Sequence, residues 1–245
     1  MKDNHGILDS ILGAFAPIHP DGYKFVAGAA LATLILFAVA PPLGWLAAAA
    51  TAAIAYFFRD PERVMPQRTG LVVSAADGKI SAITGVTPPR ELELGGEGRT
   101  RLSVFLSVFD VHIVRSPVAG SIVRSHYVPG AFFNAELAKA SEENERRALV
   151  IETEHGERVG LVLIAGLIAR RIVTFVEEGA SVARGQRIGL IRFGSRVDLY
   201  LPNSARILAE IGQTAIGGET VVAELRLGEA ERPVRTMVSS SVTEE

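Results

Sequence analysis

The sequence predicts a mainly β (α+β) protein, a compact β-sandwich or barrel-like domain behind an N-terminal helical hairpin suited to a membrane. Three observations predict it. The chain is apolar for its size, with 48% hydrophobic and 21% charged residues among 245 and a mean hydropathy of +0.28. That excess is concentrated in one uncharged run, from Phe25 to Phe58. After Arg68 the pattern turns to short alternating apolar runs punctuated by glycine and proline, which is how compact β structure reads.

Composition also excludes whole classes of function. With 25 basic against 27 acidic residues and a net charge of −2, the chain lacks the basic footprint of a nucleic-acid binder. It has no cysteine, so disulfides, thiolate nucleophiles, zinc–thiolate sites and iron–sulfur clusters are all ruled out.

The first segment, residues 1–24, carries Ile7, Leu8, Ile11, Leu12 and Phe15 at helical spacing. Such an amphipathic stretch suits the lipid headgroup region or the protein's own core. Residues 25–58 follow. As one helix they would run about 51 Å, well beyond a hydrocarbon core of about 30 Å. Pro41-Pro42 divides the run into Phe25–Ala40 and Leu43–Phe58, 16 residues each, a tight hairpin with both ends on one side. Each half falls short of a standard span of about 20 residues, so the hairpin is expected to cross a thin region or to re-enter. Lys24 precedes it and Arg59, Arg63 and Arg68 follow. Basic flanks stay cytoplasmic, which places residues 59–245 in the cytosol, on the inner face of the cytoplasmic membrane.

Within residues 59–245, Leu149–Thr153, a turn at Glu154-His155-Gly156-Glu157 and Val159–Ile164 read as a β-hairpin. Ala135–Arg147 is the one stretch with helical character. An internal echo suggests two related β units. Ser74-Ala75-Ala76-Asp77-Gly78-Lys79-Ile80 and Ser116-Pro117-Val118-Ala119-Gly120-Ser121-Ile122 share Ser, Gly and Ile, 42 positions apart. Asp77 distinguishes the first copy, since the second has Ala119; an Asp-Gly turn and a functional carboxylate are equally good explanations.

Two further strands carry chemistry. Read as one strand, Gly189–Leu201 puts Ser195 on the parity of Val197, Leu199 and Leu201, the apolar face. A buried hydroxyl needs a partner, and the glycine before it weakens the strand; a bulge with a backbone-bonded serine is the bland alternative. Leu102–Val114, read likewise, brings His112 to the core side. A serine, a histidine and Asp77 together permit an activated hydroxyl, although spacing alone does not bring them together.

Five runs then carry a family resemblance: Phe57-Phe58-Arg59-Asp60-Pro61-Glu62-Arg63, Ser74–Ile80, Phe109-Asp110-Val111-His112, Lys139–Arg146 and Ile191-Arg192-Phe193-Gly194-Ser195. Ile18-His19-Pro20-Asp21-Gly22-Tyr23 and Gly212-Gln213-Thr214-Ala215-Ile216 extend it over nearly the whole chain. Together they resemble the small bacterial form of phosphatidylserine decarboxylase. The resemblance implies a precursor that cuts itself between Gly194 and Ser195 into a large chain, 1–194, and a small chain, 195–245. It implies that Ser195 becomes a pyruvoyl group, with no pyridoxal phosphate and no metal, whose ketone takes up the electrons released as CO2 leaves phosphatidylserine. Asp77 and His112 are then the proton-transfer residues, with the Asp orienting the imidazole. Larger family members have a second histidine where this chain has Arg115, so either His112 serves both stages or Arg115 holds the substrate's carboxylate or phosphate. The partners implied are phosphatidylserine in the bilayer, the two chains of one precursor, and further copies of the protein.

The residues alone leave two other classes open. A membrane-anchored serine hydrolase would use the same Ser195, His112 and Asp77 without being cut, and a β-rich carrier or binding module would need none of them. Migration as one 26.1 kDa chain, or as two pieces, separates these from the self-cleaving enzyme.

Overall fold

His19 caps the first helix, its Nδ1 accepting the Asp21 amide at 3.3 Å. The computed structural model describes residues 16–133, 135, 143–167, 171–192 and 194–226. The segment Ile7–Phe15 lies outside them. Two helices, α1 (Pro20–Val39) and α2 (Pro41–Phe57), form the expected hairpin with longer arms than expected, 20 and 17 residues in place of 16. Proline needs no donor in a helix's first turn, so α2 starts on Pro41 itself and Ala40 alone makes the connection. At about 1.5 Å per residue α1 is about 30 Å long, matching a hydrocarbon core. By length and composition α1 can cross a membrane; α2 is a shorter apolar helix.

Small residues and one polar pair hold the arms together. Gly44 packs on the Phe37 ring, where a Cβ would fall 2.5 Å from Cγ. The Thr33 and Thr51 hydroxyls meet at 2.9 Å across the interface, each also 2.9 Å from the carbonyl four residues back, Ala29 and Ala47. Leu31, Leu34, Val39, Trp45 and Leu46 face outward and are 61–77% exposed. That surface suits lipid better than water.

The β domain comprises β1 (Leu71–Val73), β2 (Gly78–Val86), β3 (Arg99–Leu106), β4 (Ile113–Arg115), β5 (Gly120–Val128), β6 (Arg146–Glu152) and β7 (Arg158–Ala165). It continues with β8 (Ile172–Thr174), β9 (Ser181–Val182), β10 (Arg187–Ile191), β11 (Ser195–Leu201), β12 (Arg206–Ile207), β13 (Thr214–Ala215) and β14 (Val221–Glu224). An eight-stranded curled sheet runs β13-β2-β3-β11-β7-β6-β5-β9, and two three-stranded sheets run β1-β14-β12 and β4-β10-β8. Val104, Leu163, Val197 and Leu199 of the large sheet pack with Val72, Val114 and Ile188 of the small ones in one continuous core. On the other face, Leu92 and Leu94 cover Val162, Ile164 and Tyr200. A third cluster, Phe57, Phe58, Val111, Ile113 and Leu190, fastens the base of the hairpin to the domain.

The internal echo is a structural duplication. Val73 donates to the Pro117 carbonyl at 3.0 Å and Arg115 to the Ala75 carbonyl at 2.7 Å, a reciprocal exchange between equivalent positions. β2 and β5 carry the same register shift, between Ile80 and Ala82 and between Ile122 and Arg124. Gly78 and Gly120 each lie against a neighbouring strand; a Cβ would fall 2.9 Å from the Phe105 carbonyl carbon in one case and 2.8 Å from that of Glu152 in the other.

Three expectations need correction. Gly189–Leu201 is two strands in different sheets, β10 and β11, because Gly194 turns the chain at φ +40°. Leu102–Val114 is likewise β3 and β4, separated by the loop at 107–112, so strand parity does not place His112. The helical stretch Ala135–Arg147 lies mostly outside the described residues; Glu143 is helical, but the helix stops there, since Asn144 bridges Ala131 and Arg146 opens β6.

Candidate active site

Topology brings the three candidate residues to one corner of the large sheet. β3 lies between β2 and β11 and is antiparallel to both, so its last residue, Leu106, sits beside the first residues of each. Asp77 immediately precedes β2. Ser195 opens β11 opposite Leu106. The chain leaving Leu106 reaches His112 at the end of its loop, where the His112 carbonyl accepts the Ile191 amide at 3.2 Å and so ties the loop to the end of β10.

Ser195 is fully buried and its Oγ has no hydrogen-bond partner. A hydroxyl left unsatisfied in the core costs about 1–3 kcal/mol, which a fold retains where chemistry needs it. The peptide in front of it is unusual as well. Gly194 adopts φ +40°, a left-handed conformation that disfavours side chains. Gly166, just beyond β7, lies directly against it: a Cβ there would stand 2.9 Å from the Gly194 carbonyl carbon and closer still to its oxygen. Two glycines therefore let two backbones meet at the carbonyl preceding Ser195.

Hydrogen bonds tie the surroundings together. Asn144, fully buried, donates to the carbonyls of Ala165 at 2.7 Å and Phe133 at 2.8 Å and accepts the Phe133 amide at 3.0 Å. Ala165 is the register partner of Ser195 on the β7 side. Arg196 grips Asp198 through Nε at 2.9 Å and a terminal nitrogen at 3.1 Å, and donates to the Ala135 carbonyl at 2.9 Å.

His112 is buried against the Phe57 ring, with centroids 4.3 Å apart. Its Nδ1 lies 2.9 Å from the Asp110 carbonyl oxygen. A carbonyl only accepts, so Nδ1 carries the proton and Nε2 holds a bare lone pair. Nε2 is buried and has no partner. Burial pushes the imidazole down to about 4, so it is neutral at physiological pH and basic at Nε2.

Asp77 is held differently from the expected arrangement. Its Oδ2 accepts from Arg63 at 2.7 Å and its Oδ1 accepts the Gly217 amide at 2.8 Å. Burial raises its pKa, with the Arg63 charge and the Gly217 amide opposing. The backbone carbonyl of Asp110, rather than Asp77, orients the imidazole. Neither the Ser195 hydroxyl nor His112 Nε2 bonds to the other, so the structure gathers Ser195, His112 and Asp77 at one corner without linking them.

The Arg115 guanidinium is engaged in a network of its own. The residue is 3% exposed, and its guanidinium donates to the carbonyls of Gly185 at 3.0 Å and Pro61 at 2.9 Å and to Asp60 at 3.2 Å. Arg187 shares the same Asp60 carboxylate at 2.7 Å. This network pins the segment after the hairpin to the domain. Among the described residues, no three His, Asp or Glu side chains converge as a metal-ligand set.

Sequence reasoning missed Gly166, the Asp110 carbonyl and the grip of Arg63 on Asp77. It also missed Asn144, for which the available signal was a lone amide side chain within the charged part of the run Lys139–Arg146.

The sequence profile of a family described as "Phosphatidylserine decarboxylase" matches residues 50–223. The chain belongs to the phosphatidylserine decarboxylase family. It is similar to the phosphatidylserine decarboxylase proenzyme of Nitrobacter winogradskyi, with 57% identity over 217 residues that cover 89% of this chain and 88% of that protein. The region matched to the phosphatidylserine decarboxylase family takes in all of the corner: Arg63, Asp77, His112, Asn144, Gly166, Gly194 and Ser195. Within it, Ser195 Oγ and His112 Nε2 are two of the seven buried side-chain polar atoms that lack a hydrogen-bond partner among the described residues.

Proposed function

We propose that this chain is a proenzyme that cuts itself between Gly194 and Ser195 and then decarboxylates phosphatidylserine to phosphatidylethanolamine with a pyruvoyl group made from Ser195. The observation that carries the reading is the buried, unpartnered Ser195 hydroxyl next to a glycine peptide in a left-handed turn. Family membership and the relative's designation as a proenzyme support it.

The Ser195 hydroxyl attacks the Gly194 carbonyl carbon as neutral His112 accepts its proton at Nε2. The C–N bond breaks, the nitrogen keeps its electron pair and takes the proton back from His112 to leave as an amine, and an ester replaces the amide. Removal of the Ser195 α-proton then expels the Gly194 carboxylate and leaves a dehydroalanine; water adds, ammonia departs, and the small chain starts with the pyruvoyl group. The residues present fit that product. Its site is the opening of a central strand, flanked by Leu106 and Ala165 and enclosed from water. When formed, its ketone supplies the electron sink for loss of CO2. His112 remains the proton carrier of the corner, held in one tautomer by Asp110. Asp77 is fixed between Arg63 and Gly217, and the carboxylate whose charge favours a protonated imidazole is that of Asp110.

On this reading the apolar hairpin lies in a bilayer, and the basic residues flanking it support a domain on the cytosolic side. The substrate then arrives by lateral diffusion.

The deciding measurement is an intact mass spectrum of the purified protein. The expected result is two chains, 1–194 and 195–245, the smaller lighter by one ammonia than a fragment beginning with serine. Ser195→Ala should give one uncut, inactive chain. A single unbroken chain of 26.1 kDa would favour the serine hydrolase instead.

A further inference from the structure

The loop between β3 and β4 has two ends with different surroundings. Inward, the Asp110 carbonyl fixes His112. Outward, Phe109 is 72% exposed and Val108 40% exposed, two adjacent apolar side chains at the tip of a cytosolic loop. This exposure is not slackness. Asp110 Oδ2 accepts both the amide and the hydroxyl of Ser107, at 2.8 and 2.7 Å, the Ser107 hydroxyl accepts the Phe109 amide at 3.3 Å, and the Asp110 amide donates to the Ser107 carbonyl at 3.0 Å. A braced turn presenting a bare aromatic ring needs a partner.

Position and charge identify it. Arg59, the residue just past α2, donates to the Phe109 carbonyl at 2.7 Å, so the tip stands level with the base of the hairpin. Three cations gather at that base: Arg59 over the Tyr56 ring, and Lys24 and Arg192 over the Phe25 ring. On the other flank Phe175, half exposed, stacks on His19, the cap of α1. Aromatic rings and cations around the mouth of an apolar hairpin match the headgroup boundary of an anionic bilayer.

We propose that Val108 and Phe109 form a second membrane contact, entering the headgroup–acyl boundary of an anionic bilayer beside the hairpin. The inference rests on the hairpin's lying in the membrane. Because Asp110 both braces the tip and orients His112, the depth of the tip sets the depth of the catalytic corner.

The cysteine-free chain makes the test direct. Leu34→Cys, Phe109→Cys and Glu154→Cys, each labelled with an environment-sensitive fluorophore, report the hairpin, the tip and a distant turn. Each full-length variant is reconstituted in phosphatidylcholine–phosphatidylglycerol vesicles carrying brominated acyl chains. The expected result is a blue shift and loss of emission at positions 34 and 109, with neither at 154. Quenching at 34 with an aqueous spectrum at 109 would overturn the tip contact and leave the hairpin reading intact. An aqueous spectrum at 34 would overturn the hairpin reading, and with it the basis for the tip.

Discussion

Gly166 lies against the carbonyl of Gly194, near enough that a methyl group at 166 would overlap the carbonyl carbon and oxygen. Gly166→Ala must therefore push apart the two backbones that meet there. Overpacking of this kind costs about 1–3 kcal/mol. If the present spacing is what Ser195 needs for attack, self-cleavage should slow by about 10- to 100-fold, since 1.4 kcal/mol is a factor of ten. A time course of processing on gels checks this, and an unchanged circular dichroism spectrum would show that the fold survived.

His112 gives a pH prediction with a definite sign. Burial holds its folded-state pKa at about 4, below the roughly 6.5 of an unfolded histidine. The unfolded chain then binds the proton more tightly. Stability should be greatest above about pH 6.5, fall as the pH drops through the window down to about 4, and level off below it. Processing that uses neutral His112 should likewise persist to about pH 4 rather than fail at 6.5. Urea midpoints and cleavage rates over pH 3.5–8 measure both; His112→Gln should abolish processing and flatten that part of the stability profile.

Arg63 offsets the burial of Asp77, whose pKa is already raised. Arg63→Gln removes that compensation and should raise the Asp77 pKa further, so any step that needs the ionised carboxylate fails at a higher pH than in the unaltered protein. The readout is the acid limb of the rate profile, expected to move upward. Asp77→Asn removes the titration and should leave no such limb, while stranding a largely buried Arg63 charge.

Asn144→Leu should destabilise the domain by about 3 kcal/mol, because it strips partners from the Ala165 and Phe133 carbonyls and the Phe133 amide. Ala165 flanks Ser195, so the fraction processed should fall along with the melting temperature. Asn144→Asp keeps the acceptor for the Phe133 amide but turns its second oxygen toward the Phe133 and Ala165 carbonyls, so it should be at least as damaging.

Much of this architecture could be read from the residues. The uncharged run with its central Pro-Pro gave the hairpin, and the Leu149–Ile164 pattern gave β6 and β7, which pair from Glu152↔Arg158 onward. The Ser-Gly-Ile echo gave the duplication. Strand limits were harder, because alternation continues across a break whenever the next strand keeps the same parity. Thus Ile191 and Ser195 share a parity yet belong to different sheets, with the left-handed Gly194 between them. The site was legible as residue types and not as contacts. Nothing in the spacing tells that Asp77 would face Arg63, or that a main-chain carbonyl would orient His112, since both depend on loops packed from distant parts of the chain.

Where β11 lies has a consequence for the severed molecule. It is a middle strand, bonded to β3 on one side and β7 on the other, while β13 and β14 are laced into two different sheets. Scission before Ser195 would change covalent length without freeing a fragment: on a sizing column the halves should travel as one particle, and pulling them apart should require melting the whole domain.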